Sequence, residues 1–96
     1  MTLTELRTTR KESILQIAAK RGAKNLRIFG SVAREQNDEL SDVDFLVELE
    51  PSRTLFDLSG LAADLEALLE SHVDVVTEKG LRPRVRERIL AEAIPL

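Results

Sequence analysis

The sequence predicts an α/β domain, read as α-β-α-β-α-β-α, in which a small sheet of three to four strands is packed by helices. Three observations predict it. Short runs rich in β-branched and apolar residues at 25–29, 43–49 and 72–76 alternate with longer stretches of helical apolar spacing. The turn residues Gly22, Gly30, Pro51 and Gly80 fall at the boundaries between those stretches. The chain has 96 residues, room for one compact domain and little else, so 1–96 is expected to form a single unit.

Thr4 is expected to cap the first helix, with Leu6, Ile14, Ile17 and Ala18 at roughly helical spacing and Gly22 as the stop. Asn25–Phe29 reads as a strand that ends at Gly30-Ser31, and Val32–Glu35 as a helical turn or two. Residues 36–41 are polar and read as a loop. Val43–Leu49 is the clearest strand. Its alternation puts Val43, Phe45, Val47 and Leu49 on one face and Asp42, Asp44, Leu46 and Glu48 on the other. After a turn at Pro51, Thr54 and Asp57 form a capping box in which Asp replaces the usual Glu or Gln. The helix behind it aligns Leu58, Leu61, Ala62, Leu65, Leu68 and Leu69 as one apolar stripe. His72–Val76 is the third strand. A last helix starts near Pro83, at a first-turn position, and runs to about Ile94. The pattern leaves open whether the sheet is parallel or mixed.

Composition excludes several functions. A net charge of −3 gives no global attraction to nucleic acid, and three phenylalanines, the only aromatic residues, offer no platform for bases. No direct nucleic-acid binding is therefore expected. Ten arginines against four lysines suit recognition of phosphate or carboxylate. The absence of cysteine excludes disulfides and thiolate metal sites. Met1–Glu5 carries no apolar signal region and no apolar run approaches membrane-spanning length, so a cytoplasmic protein without a membrane partner is expected.

The chemistry is carried by acids. Asp42 and Asp44, two apart on a strand, point to one face about 7 Å apart along the chain. Each raises the other's pKa, a cost that a divalent cation removes. Oxygen ligands with a lone histidine favour Mg²⁺ or Mn²⁺ over Zn²⁺. Asp74, on another strand, reaches the same place if the two strands are neighbours. Three carboxylates suffice for two ions ~3.5–4 Å apart, as in-line phosphoryl transfer requires. Gly30-Ser31 at a strand-to-helix turn supplies close backbone approach, free N–H groups and a hydroxyl for phosphate. Phosphate turn and metal carboxylates together describe a metal–triphosphate site.

Gly30-Ser31, ten intervening residues and Asp42-x-Asp44 resemble the GSx₁₀DxD signature of the DNA polymerase beta-like nucleotidyltransferases. Four specified residues at that spacing arise by chance in about one chain per thousand. The third aspartate of the family pattern is matched by Asp74 in Val73-Asp74-Val75-Val76. The resemblance covers nearly the whole chain and leaves no residues for a separate acceptor-binding domain. It is therefore closest in kind to the minimal nucleotidyltransferases (MNT), in particular the MntA-type antitoxins that pair with HEPN-type toxins.

That resemblance implies a nucleotidyltransferase fold with a mixed sheet, two Mg²⁺ ions, and transfer of AMP from ATP to a tyrosine of a partner toxin. It implies that Asp42, Asp44 and Asp74 are catalytic metal ligands and that Gly30 and Ser31 hold the β and γ phosphates. Arg34, one turn into the short helix, is expected to contact phosphate or nucleotide, the alternative being a surface ion pair with Glu35 or Glu39.

Plainer readings stand beside these. Asp42 can be a turn residue, Asp44 and Asp74 solvent-facing strand acids, and Gly30-Ser31 merely a strand end with a helix cap. The run Arg82, Arg84, Arg86 and Arg88 is either a solvated helix face or a surface for an acidic partner. His72 shares a strand face with Asp74, which invites a general-base role, though a histidine at a strand start is commonplace. Two competing functions are a non-catalytic antitoxin that captures its partner and a small-molecule nucleotidyltransferase. No residue identifies itself as a reader of the base.

Overall fold

Thr2, rather than Thr4, caps the first helix in the computed structural model, which describes residues 1–96: its side chain accepts the Glu5 N–H at 3.1 Å, and α1 runs Leu3–Arg7. The single opening helix expected from the sequence is broken, with α2 following at Lys11–Lys20. The Thr8 and Thr9 hydroxyls donate back to the Thr4 and Glu5 carbonyls at 2.7 and 3.2 Å. They satisfy the last carbonyls of α1 and so compete with continuation of the helix. Both Leu6 and Ile14 reach the core across the bend and are fully buried.

Strand β1, Ala23–Phe29, begins before Asn25 and carries a register shift between Lys24 and Arg27. Asn25 sits there at φ +50°, a left-handed conformation that asparagine tolerates better than most residues. The helical turn α3, Gly30–Ala33, leads to β2, Val43–Leu49, as the alternation predicted. Helix α4, Leu55–Leu69, opens with the expected capping box. The Asp57 carboxylate accepts the Thr54 N–H at 3.0 Å, which holds its pKa below the ordinary value. The α4 stripe buries Leu61, Leu65 and Leu69.

Strand β3 is Val73–Val76, and a 3₁₀ turn at Glu78–Gly80 precedes α5, Pro83–Glu92. Helix α5 stops short of Ile94 because Ile94–Pro95 forms β4, with Ile94 opposite Ile28 of β1. A proline, lacking a donor, suits that edge position.

The sheet therefore has four strands in the order β3-β2-β1-β4. It is mixed: β2 and β3 are parallel, while β1 runs antiparallel to both β2 and β4. The parallel pair needs a long crossover, and α4 provides it. One sheet face packs Ile28, Val43, Phe45, Val47 and Val73 against Leu6, Ile14, Ala18, Leu61 and Leu65 of the helices. Leu46, on the opposite face, is also fully buried, and Ile89 of α5 is buried outside the main core. Both faces of β2 are therefore covered, which fixes its register firmly. No helix is long and apolar enough to cross a membrane.

Candidate active site

The end of β1 makes a turn that only glycine fits. Gly30 has φ +74°, and a Cβ on it would overlap Asp44 Oδ2. The antiparallel register explains the closeness, since Phe29 stands opposite Asp44. The Gly30-Ser31 turn thus lies directly against a β2 carboxylate.

The parallel register then sets Asp44 opposite Asp74 of β3. Two aspartates thirty positions apart become immediate neighbours, because their strands are adjacent. Asp42 lies one residue before β2, at the end of a loop pinned by Asp38. The Asp38 carboxylate accepts the Leu40 N–H at 2.9 Å, and the Asp38 N–H donates to the Ser41 hydroxyl at 3.0 Å. Asp42 and Asp74 are exposed and Asp44 is half-buried. Burial, followed by the charges of Asp74 and Asp42, a hydrogen bond with Asp74 and the charge of Glu92, pushes the Asp44 carboxyl up to about 6. A crowded set of oxygen donors in which one member resists ionisation is suited to a hard divalent cation such as Mg²⁺ or Mn²⁺. By that test the residues present fit such an ion.

A cleft of about 630 Å³ joins the two parts, with Gly30, Ser31, Arg34, Asp42, Asp44, Arg88 and Glu92 on its walls. It brings together every residue expected from the sequence except Asp74, which flanks Asp44 from the next strand. Arg34 is in the cleft, but its ion pair is with neither Glu35 nor Glu39. Its Nη1 donates to Glu92 Oε2 at 2.8 Å and its Nε to Gln36 at 3.2 Å. Glu35, just past the end of α3, has a left-handed φ of +55°, which does not continue the helix.

Glu92 was not foreseen. Its Oε1 accepts the Gly30 N–H at 3.0 Å while its Oε2 binds Arg34. Burial works to raise its pKa, yet the Gly30 N–H, Arg34 and the nearby charge of Arg88 together hold it below the ordinary value. Spacing of four places Arg88 and Glu92 on one helix face. Nothing in the sequence says that this face meets the Gly30 turn, 62 positions away. Of the arginine run, only Arg88 lines the cleft, while Arg82, Arg84 and Arg86 are exposed elsewhere on the helix end.

His72 precedes β3, where its carbonyl accepts the Val43 N–H at 2.9 Å, and its ring stands beside Asp74. Leu40, 92% exposed, stands at the rim of the cleft.

A mixed sheet with a glycine-serine turn packed on paired strand carboxylates defines an enzyme of the nucleotidyltransferase class. The chain belongs to the nucleotidyltransferase domain family, whose model matches residues 11–96. It is 43% identical over 84 residues to a Methanocaldococcus jannaschii protein provisionally named a protein adenylyltransferase, spanning 88% of this chain and 90% of the relative. It is 31% identical over 94 residues to the protein adenylyltransferase MntA of Thermococcus cleftensis, covering 98% of this chain and 95% of that one.

A solved structure described provisionally as a minimal nucleotidyltransferase superposes with a TM-score of 0.86 at 51% identity, over 100% of this chain and 97% of that chain. Two more distant structures share the fold. One is a toxin–antitoxin with AMP-PNP, with a TM-score of 0.76 at 18% identity over 88% of this chain and 70% of that chain. The other is a tri-AMPylated Shewanella oneidensis HEPN toxin in complex with MNT antitoxin, with a TM-score of 0.69 at 17% identity over 91% and 68%.

Proposed function

We propose that this protein is an antitoxin that transfers AMP from ATP to a hydroxyl, by resemblance a tyrosine, of a HEPN-type toxin, releasing pyrophosphate. The observation that carries the reading is the register of the sheet. It sets Asp44 opposite Asp74, with Asp42 and the Gly30-Ser31 turn in the same cleft. Relatives named protein adenylyltransferases along nearly the whole chain support it, as do structural neighbours seen with an ATP analogue or with an AMPylated toxin.

In this reading Gly30, Ser31 and Arg34 bind the β and γ phosphates, with Arg88 adding positive charge at the same wall. Asp42, Asp44 and Asp74 would hold two Mg²⁺ ions, which would neutralise the triphosphate and acidify the acceptor hydroxyl. The acceptor oxygen attacks the α-phosphorus in line with the α–β bridging oxygen. The bond to that bridging oxygen breaks, pyrophosphate leaves with the electron pair, and the acceptor's proton passes to Asp74, an exposed carboxylate. The exposed Leu40 at the rim of the cleft favours a protein acceptor, since it offers apolar surface for a partner to cover.

The test is label transfer from α-³²P-ATP, with Mg²⁺, to the protein encoded beside this one, with Asp42→Asn run in parallel. Label on the partner with the wild type alone is expected. A stable complex without label would replace transfer with capture. Label in the absence of a protein acceptor, on an added small molecule, would reassign the substrate class.

A further inference from the structure

The metal carboxylates have a neighbour that the transfer reaction does not use. The Val43 N–H bonded to the His72 carbonyl starts the parallel β2–β3 pairing one residue before Asp44 meets Asp74. Asp42 and His72 are therefore the next positions out along their two chains. Alternation puts His72 on the same face of its strand as Asp74, just as it puts Asp42 with Asp44.

Ligand atoms of Asp42, His72 and Asp74 all lie within 4.8 Å of one another. His72 Nε2 stands 3.6 Å from Asp74 Oδ1. That is too long for a hydrogen bond. It is close to the separation of two donors on one ion, because bonds of about 2.1–2.2 Å at open angles place donors roughly 3–3.6 Å apart. Behind the ring, Glu66 Oε1 of α4 is 3.5 Å from Nδ1. A carboxylate on the far nitrogen is the usual companion of a metal-bound imidazole, because it favours the Nδ1–H tautomer and leaves the Nε2 lone pair for the ion.

We propose that His72 is a further metal ligand through Nε2, sharing with Asp42 and Asp74 one of the two cation positions, and that it makes this position prefer Mn²⁺ to Mg²⁺. The proposal rests on the reading of Asp42 and Asp74 as metal ligands. The preference follows from ligand chemistry. Mg²⁺ takes oxygen almost exclusively, whereas an imidazole nitrogen strengthens binding to Mn²⁺ and later first-row ions. A carboxylate at position 72 would have served Mg²⁺ better. Asp42, His72 and Asp74 are all exposed, where exchange of ions with solvent is easy.

His72 is the only histidine in the chain, which makes the test direct. The full chain, prepared without a histidine tag and without nucleotide, is loaded with Mn²⁺ and studied by pulsed EPR. The expected result is a ¹⁴N coupling of one directly bound imidazole, absent in His72→Gln. In parallel, His72→Gln weakens Mn²⁺ binding about tenfold or more and Mg²⁺ binding by less than about threefold, which raises the relative affinity for Mg²⁺.

The ring is exposed, and the melting temperature of the metal-free variant checks that it folds, with His72→Asn as a second variant. Mn²⁺ binding that depends on Asp42 but shows no ¹⁴N coupling would overturn the role of His72 and leave the carboxylate site intact. Mn²⁺ binding indifferent to Asp42→Asn would overturn the carboxylate site itself, and this proposal with it.

Discussion

Replacing Asp44 by Asn should stabilise the metal-free protein while abolishing transfer. The carboxyl has an ordinary value of 3.8 and is pushed up to about 6 in the fold, first by burial and then by the neighbouring acids. Between those two values the folded chain holds a proton that the unfolded chain has lost. Stability therefore falls as pH rises from about 4 to about 6 and stays lowered above that. At about 1.4 kcal/mol per pH unit the full penalty is about 3 kcal/mol. Asp44 is only half-buried, so solvent screening reduces this to about 1.5 kcal/mol.

Asn keeps the shape and removes the charge. The expected gain in EDTA at pH 8 is about 6–12 °C in Tm for a domain of this size. The gain should shrink to nothing near pH 4, where the wild-type carboxyl is protonated in the fold. Added Mg²⁺ should narrow it again, because only the wild type gains the ion's full stabilisation. Melting curves followed by circular dichroism over pH 4–8 measure all three. An Asn variant no more stable than the wild type at pH 8, or a gain that persists at pH 4, would refute the reasoning.

Three other predictions follow from the same cleft. Metal binding requires ionised Asp44, so Mn²⁺ affinity of the His72→Gln variant, in which only carboxylates remain as proposed ligands, should be flat above pH 6 and fall toward tenfold per pH unit below it, with up to about one proton released per ion near pH 5 in calorimetry. Gly30→Ala puts a Cβ into Asp44 at a left-handed φ, so a loss of about 1–2 kcal/mol or more in urea unfolding is expected together with loss of transfer; an unchanged midpoint would contradict the turn geometry. Glu92 occupies the Gly30 N–H and Arg34 that are assigned to phosphate, so Glu92→Gln should bind metal-free ATP about 3–10-fold more tightly by calorimetry. Weaker binding would instead mean that Glu92 holds those groups in place for the nucleotide.

The sequence by itself determined most of the elements and the candidate site residues. Strand β2, the α4 stripe and the capping box at Thr54 are local patterns, set by alternation, helical spacing and hydrogen bonds spanning three residues. The site was legible for the same reason, because Gly30, Ser31, Asp42 and Asp44 lie within one strand-turn-strand stretch at fixed spacing. Asp74 could be named only through the family pattern, which expects a third aspartate in a later strand, and it stands exposed there.

What the sequence could not carry was anything decided by which surfaces meet. The break at Thr8, which the Thr8 and Thr9 hydroxyls favour locally, lets Leu6 and Ile14 both reach one core. Strand β4 forms only because β1 presents an open edge to Ile94. Arg34 pairs with Glu92 rather than with its neighbours because α5 folds back across the Gly30 turn. His72 joins Asp42 only through the parallel register of β2 and β3. Local propensity acts over a few residues, whereas register and docking are fixed by burying apolar surface far apart along the chain. Only the folded structure could therefore decide that Glu92 and Arg88 stand on the cleft wall beside the Gly30 turn and His72 beside Asp42 and Asp74.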